Sequence, residues 1–305
     1  MKRIFSVLLI LALALCLAAC DEAPASSVPP ASSEVGSVLE KPAVPGPYTE
    51  MQQLSLAEYG ELTLYPEPDL KAEPLLILQP DFGQGAPYCI AKQENWLQCV
   101  CGSYAGWVHD IVPEAESAAV PIPDFLTEEQ QLLYVQAASL FNAYNMNVSG
   151  QKGFADRSTT LEIQADGDYF FGYPDQLYPT ADALKAALNS VFTAEYLAED
   201  FLPYDANPYI LREENGRLYV GSSDRGSWTA HIVGYTLTEQ TDEHILFSVQ
   251  FHFGEAEDWQ CELPVELVNT PDGWRVAQMT TVYDDLHWME AMGPDFDPWA
   301  AMGTV

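Results

Sequence analysis

Hydrophobic residues recur at helical spacing in the segment that follows Thr127. A capping box at Thr127 opens this pattern, which predicts a long amphipathic helix ending near Asn147. Thr180 and Thr193 are positioned to cap a second helix and a short third helix. This part of the chain therefore begins with helices.

The hydrophobic period then changes to that of strands. Asn215 and Gly216 separate two short hydrophobic runs, which is a strong hairpin signal. Residues 245–253 and 261–267 alternate between hydrophobic and polar side chains, and a turn at 270–273 leads into a last strand. Helices followed by a long antiparallel meander predict an α+β fold, with helices packed on a curved antiparallel sheet. This order resembles the cone shared by cystatin-like and nuclear-transport-factor-like domains.

Residues 48–114 show shorter strand patterns that are interrupted by proline and glycine. Several short strands at close spacing predict a small all-β barrel. A strand beginning at Trp96, followed by Gly106-Trp107-Val108, resembles the most recognisable signature of the bacterial SH3-like domain. We expect Trp96 and Trp107 to pack in the core of this barrel; the alternative is that they line a ligand groove.

The first 47 residues carry no pattern of a folded domain. Lys2 and Arg3 precede an apolar run that is too short for a membrane span of ~20 apolar residues and is typical of a secretory signal. Leu17-Ala18-Ala19-Cys20 resembles the bacterial lipobox. The resemblance implies that residues 1–19 are removed and that Cys20 is lipidated, which would anchor the exported protein to the outer face of the cytoplasmic membrane.

Two segments rich in proline and small residues predict linkers. Residues 20–47 have almost no large apolar side chains, which predicts a disordered tether. Residues 115–124 contain Pro121 and Pro123, and Pro113 lies just before them. This segment separates the predicted barrel from the α+β domain, which we place at residues 125–305. We expect these two domains to have separate cores, because the second linker lies between them.

The predicted barrel contains three cysteines, and export permits disulfides. A hairpin centred on Glu94 puts Cys89 opposite Cys99, whereas a register two residues longer puts it opposite Cys101. Cross-strand Cβ atoms are ~4.5–5.5 Å apart, so a disulfide needs only slight adjustment. We therefore expect Cys89 to be joined to Cys99 or Cys101; free buried thiols are the alternative.

The charge of the chain restricts its partners. It has 45 acidic and 12 basic residues, with a formal net charge of −33. Such a surface repels nucleic acid and anionic lipid, which excludes both as binding partners, and it attracts basic proteins or divalent cations. The alternative is that the charge serves only solubility outside the cell.

Catalytic motifs are missing from the sequence. It contains no G-x-S-x-G, no S-x-x-K followed by K-T-G and no H-E-x-x-H. Cys261 lies in the middle of an alternating strand pattern, where nothing would lower the pKa of its thiol. The spacing of cysteine and histidine does not indicate a zinc site. We therefore expect a protein that is not an enzyme and has no metal or cofactor.

Two local segments resemble inhibitors of cell-separation D,L-endopeptidases. Tyr173–Thr180 is an aromatic segment that leads into a helix, and Gly216–Val220 is a "Gly-x-Leu-Tyr-Val" strand that leads into an Asp-Arg-Gly turn. The resemblance covers roughly residues 127–284. It implies that the protein binds or inhibits a basic cell-wall (peptidoglycan) hydrolase. The contact residues implied are Tyr173, Asp175, Asp224, Arg225 and Gly226.

Two alternatives stand beside this interpretation. Asp224-Arg225-Gly226 could simply be a turn whose aspartate accepts backbone hydrogen bonds. The α+β domain could instead bind a small molecule, or act on one, in a pocket between helix and sheet. An open interior would favour that second function, and a filled interior would favour a protein partner.

Overall fold

The computed structural model describes residues 48–54, 61–79, 87–111, 119–145, 150–151, 153–165, 168–199, 211–223, 230–253 and 260–293. The predicted signal, Cys20 and the linker at 20–47 lie outside these residues. Asp224, Arg225 and Gly226 also lie outside them.

The described residues of the N-terminal part form seven short strands. A five-stranded sheet has the order β6-β5-β4-β1-β7, and β2 pairs with β3. Glu94 has a φ of 53° in the tight turn between β4 and β5, where the sequence predicts the centre of a hairpin. The strands are β1 (Glu50–Gln53), β2 (Leu62–Leu64), β3 (Leu76–Leu78), β4 (Tyr88–Gln93), β5 (Trp96–Cys101), β6 (Tyr104–His109) and β7 (Val120–Pro121).

A long helix, α1 (Glu128–Tyr144), follows β7. Its predicted capping box is confirmed: the Thr127 hydroxyl accepts from the backbone N–H of Gln130, and the Gln130 side chain accepts from the backbone N–H of Thr127. These bonds satisfy backbone donors that the first turn leaves without helical partners. The helix is buried on all sides from Gln130 to Tyr144.

The rest of the described chain is a set of antiparallel strands with three further helices. One four-stranded sheet has the order β11-β12-β10-β9, another has the order β14-β15-β16-β17, and β8 pairs with β13. The strands are β8 (Gly150–Gln151), β9 (Leu161–Ala165), β10 (Asp168–Pro174), β11 (Leu211–Glu214), β12 (Arg217–Val220), β13 (Ser222–Ser223), β14 (Ala230–Gln240), β15 (His244–Phe253), β16 (Gln260–Thr270) and β17 (Gly273–Gln278). The helices are α2 (Ala181–Val191), α3 (Ala194–Glu199) and α4 (Asp285–Met292).

This arrangement is an α+β fold. The hairpin predicted at Asn215 and Gly216 is confirmed, and both residues have positive φ, at 53° and 72°. Within the described ranges, no helix is long and apolar enough to cross a bilayer.

The predicted barrel and the predicted α+β domain do not have separate cores. One continuous set of buried hydrophobic residues runs from Tyr48 to Trp288, and residues 40–305 form one compact unit. The second linker contributes to this unit, because β7 pairs with β1 through Met51 and Val120. The expectation of two cores divided at residues 115–124 is therefore wrong.

Polar side chains of α1 join the two parts. The Asn142 amide nitrogen lies 2.6 Å from the Tyr88 hydroxyl, and its carbonyl oxygen accepts from the Thr281 hydroxyl at 2.5 Å. The Ser139 hydroxyl accepts from the backbone N–H of Gly102 at 2.8 Å. Because buried polar groups require partners, these bonds hold α1 in one position between strands from both ends of the chain.

Candidate functional site

The two segments that carry the resemblance lie side by side in the structure. Strand β10 pairs with β12, so that Tyr173 faces Val220. The backbone N–H of Leu218 donates to the carbonyl of Pro179 at 2.7 Å, which extends the contact to the start of α2. Strand β12 is followed by β13 at Ser222–Ser223, the last described residues before the Asp-Arg-Gly segment.

Tyr173 lies on a small aromatic surface. It is partly exposed, and its ring contacts that of Phe171 edge to face with centroids 5.7 Å apart. Phe171 is 54% exposed, and the Arg157 guanidinium carbon lies 6.0 Å from the centre of the Tyr173 ring. Phe171 and Arg157 were not among the predicted contact residues. The run Tyr169-Phe170-Phe171 contained one signal that an aromatic ring is exposed here. Successive strand residues point to opposite faces, so Phe171 is exposed where Phe170 is buried.

Asp175 is buried and cannot be a partner contact. It is 3% exposed, and both of its carboxylate oxygens accept hydrogen bonds from the protein. Oδ2 accepts from the Tyr144 hydroxyl at 2.8 Å and the Phe154 N–H at 3.0 Å. Oδ1 accepts from the N–H groups of Leu177 at 2.9 Å and Tyr178 at 2.8 Å. The assignment of Asp175 to the binding surface is therefore wrong; it holds together the turn before α2.

Burial dominates the electrostatics of Asp175. It raises the pKa of the carboxyl group to about 6, although the four hydrogen-bond donors act in the opposite direction. Gly153 allows the close approach of this group, because a Cβ on Gly153 would lie 2.4 Å from Asp175 Oδ2. Gly153 also has a φ of 64°, a conformation that glycine adopts most readily.

The two tryptophans of the N-terminal strands have different environments. Trp107 is 1% exposed, which confirms that it is a core residue. Trp96 is only partly buried and packs edge to face against Tyr65 and His109, at centroid distances of 5.8 and 4.7 Å. Asp110 Oδ2 lies 3.1 Å from Nδ1 of His109. The expectation of core packing thus holds for Trp107, whereas Trp96 belongs to a surface aromatic cluster.

Cys89 lies directly opposite Cys99, which is one of the two predicted pairings. The turn itself is centred between Glu94 and Asn95, because Gln93 faces Trp96, and the extra residue Ile90 shifts the register so that Cys89 meets Cys99. Cys101 faces Tyr104 on the other neighbouring strand, so the longer register is wrong. All four cysteines of the described residues are free thiols, including Cys261. The structure therefore has the predicted strand pairing without the disulfide.

Cys261 has surroundings that suppress its nucleophilicity. Burial and, to a smaller extent, the negative charge of Asp284 together raise the pKa of its thiol to about 11. Nδ1 of His287 lies 2.9 Å from both carboxylate oxygens of Asp284. A catalytic cysteine needs a lowered pKa, and this thiol has the opposite property.

Buried aromatic side chains pack between α1 and the sheet and between the sheet and α4. Tyr134 of α1 packs against Phe247 of β15, with ring centroids 6.0 Å apart, and Phe251 packs against Trp288 at 5.9 Å. These four side chains are all at most 1% exposed. Across the parts of the chain that the structure describes, no group of three or more His, Cys, Asp or Glu residues could hold a metal ion.

No known protein-family model matches the chain, and none of the curated proteins is significantly similar to it. The interpretation of its function therefore depends on the charge of the chain, the packed helix–sheet interface and the surface beside Tyr173.

Proposed function

We propose that this chain is a cell-surface lipoprotein that binds, and by binding inhibits, a basic cell-wall hydrolase of the D,L-endopeptidase class. The observation that carries the proposal is the net charge of −33. A field of this size attracts cationic proteins over distances longer than a contact and raises their association rate. The protein itself performs no reaction in this proposal.

The surface beside Tyr173 is the contact that we propose. The pairing of β10 with β12 supports it, because this pairing places the exposed ring of Phe171 on the sheet that leads to the Asp-Arg-Gly segment. Aromatic residues and arginine are enriched where protein interfaces derive most of their binding energy. The buried aromatic side chains between α1 and the sheet favour a partner on the outside over a small molecule within.

The position of the protein is part of the same proposal. Cys20 carries the lipid, and residues 20–47 tether a folded part in which residues 48–114 are an SH3-like barrel and the remainder is a cystatin-like cone. At ~3 Å per residue an extended tether spans tens of Å, which suits a partner in the cell wall. Radiolabelled palmitate should enter the wild-type protein, and a Cys20→Ala variant that retains the label would exclude lipidation at this residue.

Binding to purified wall endopeptidases tests the proposed partner. A soluble protein that begins at Asp21, without the apolar run and without Cys20, should bind and inhibit at least one basic enzyme of a panel. Its affinity should fall about tenfold or more from low to high salt, because the Debye length shortens from ~30 Å at 0.01 M to ~8 Å at 0.15 M.

Two variants of equal charge distinguish a specific contact from general attraction. Asp224→Asn should weaken binding, whereas Asp272→Asn, in an exposed turn between β16 and β17, should not. Equal effects of the two changes would show that only net charge matters. Failure to inhibit any enzyme of the panel, together with recovery of a small molecule from the protein, would favour the alternative function of a small-molecule binder.

A further inference from the structure

Cys89 and Cys99 form a contact pair in the sheet of the N-terminal strands. They are directly opposite each other on β4 and β5, and their side chains are hydrogen-bonded. The register shifts immediately after Cys89, so that Ala91 faces Gln98 and Ile90 forms a bulge. The Cys89 sulfur also lies 3.7 Å from the carbonyl oxygen of Ala91. Two thiols in this arrangement can form a bond with little movement of the backbone.

The two thiols differ in their access to solvent. Cys89 is partly exposed, whereas Cys99 and Cys101 are completely buried, at 0% exposure. A reagent in solution therefore reaches Cys89 first. Cys99 can react only with a group that is already attached to Cys89.

The acidity of the thiols follows the same order. The hydrogen bond from the Cys99 thiol lowers the pKa of Cys89, outweighing its partial burial; Lys92 acts in the same direction and Glu50 against it. Burial raises the pKa of Cys99 and of Cys101. The thiolate is the nucleophile in thiol–disulfide exchange, so Cys89 is the more reactive member of the pair.

We propose that Cys89 and Cys99 are a thiol–disulfide exchange site for a small-molecule disulfide, with Cys89 as the attacking thiol and Cys99 as the resolving thiol. The Cys89 thiolate attacks one sulfur of R–S–S–R, which forms a Cys89–S–S–R bond and expels R–S⁻. The Cys99 thiol gives up its proton, and its sulfur then displaces the second R–S⁻ from Cys89. Two protein thiols are oxidised to one disulfide, and the small disulfide is reduced to two R–SH.

The bond would connect strands that are both attached to α1. Tyr88, beside Cys89, is hydrogen-bonded to Asn142, and Gly102, at the end of β5, is hydrogen-bonded to Ser139. Oxidation therefore links β4 and β5 covalently, close to the hydrogen bonds that attach them to α1. This inference is independent of the proposed partner.

Oxidised glutathione serves as the probe, added to the reduced full-length chain. Peptide mapping without reductant, which scores each cysteine separately, should find Cys89 joined to Cys99. A Cys99→Ser variant should trap one glutathione on Cys89, and a Cys89→Ser variant should leave Cys99 unmodified. A Cys101→Ser variant is the matched control and should still form the Cys89–Cys99 bond.

A second measurement avoids any effect of substitution on folding. With limiting iodoacetamide at neutral pH, Cys89 of the wild-type chain should be alkylated about tenfold or more faster than Cys99 or Cys101. Equal alkylation rates, glutathione on Cys99 of the Cys89→Ser variant, or a bond from Cys89 to Cys101 would each overturn the assignment.

Discussion

Replacing Asp175 by asparagine should remove a specific part of the pH dependence of stability. Burial raises the pKa of Asp175 from 3.8 to about 6 in the folded state. At about 1.4 kcal/mol per pKa unit, this difference corresponds to about 3 kcal/mol. The folded state holds the proton more tightly than the unfolded state, so this contribution is fully present below pH 3.8 and is lost as pH rises through about 6.

The assay compares urea unfolding of the wild type and Asp175→Asn from pH 4 to pH 7.5. Asparagine offers one acceptor oxygen where the carboxyl group faces four donors, so the variant should be less stable at pH 4 by ~1–3 kcal/mol for each donor left unpaired. The free-energy difference between the two proteins should then shrink by about 2 kcal/mol towards pH 7.5, because pH 4 already lies slightly above the unfolded-state pKa of 3.8. Both proteins carry the same other carboxylates, so the contribution of their mutual repulsion to the pH dependence cancels in this difference.

An exposed aspartate provides the control. Asp272→Asn makes the same substitution in an exposed turn, so it measures the effect of removing one surface carboxylate over the same pH range. A difference for Asp175→Asn that widens as pH rises would refute the reasoning, because the four hydrogen bonds would then outweigh burial and lower the pKa. A constant difference would also refute it.

Three further predictions concern the packing. Asn142→Leu should lower the free energy of unfolding by ~2–5 kcal/mol, because the Tyr88 and Thr281 hydroxyls lose their partners. In a double-mutant cycle, Tyr88→Phe should therefore cost less stability in the Asn142→Leu variant than in the wild type. A fragment of residues 125–305 should show no cooperative thermal transition by circular dichroism, and a sharp transition would contradict the shared core. Gly153→Ala should destabilise more than Gly216→Ala in urea; both glycines have positive φ, at 64° and 72°, but only Gly153 has a neighbouring atom where the Cβ would lie.

The elements that sequence predicted correctly are those specified by nearby residues. The capping box at Thr127 and the hairpin at Asn215 each depend on a few consecutive positions. The sequence left the partner of Cys89 open between Cys99 and Cys101, because the bulge at Ile90 that sets the pairing has no local signal. The burial of Asp175 depends instead on Tyr144 and Phe154, which approach it only after folding. A carboxylate between aromatic residues gives no local sign that it is buried.

The shared core escaped prediction for a related reason. The polar positions of α1 suggested a solvent-facing side, but they bind buried groups of the N-terminal strands. One signal was present in their composition: after Glu129 the helix has glutamine, serine and asparagine but no charged residue. Neutral polar side chains can be buried with a single well-placed partner, whereas charged ones almost never are.

The position of β1 determines how the fold resists a mechanical load. A pull on the chain before Tyr48 enters the protein at β1, which lies between β4 and β7 and not at the edge of the sheet. The backbone N–H of Tyr48 also donates to the Gln131 side chain of α1 at 2.8 Å. Extraction of β1 must therefore break bonds to two strands and the central helix. Because forced unfolding follows the unfolding rate, a protein pulled from this end should release its N-terminal strand slowly.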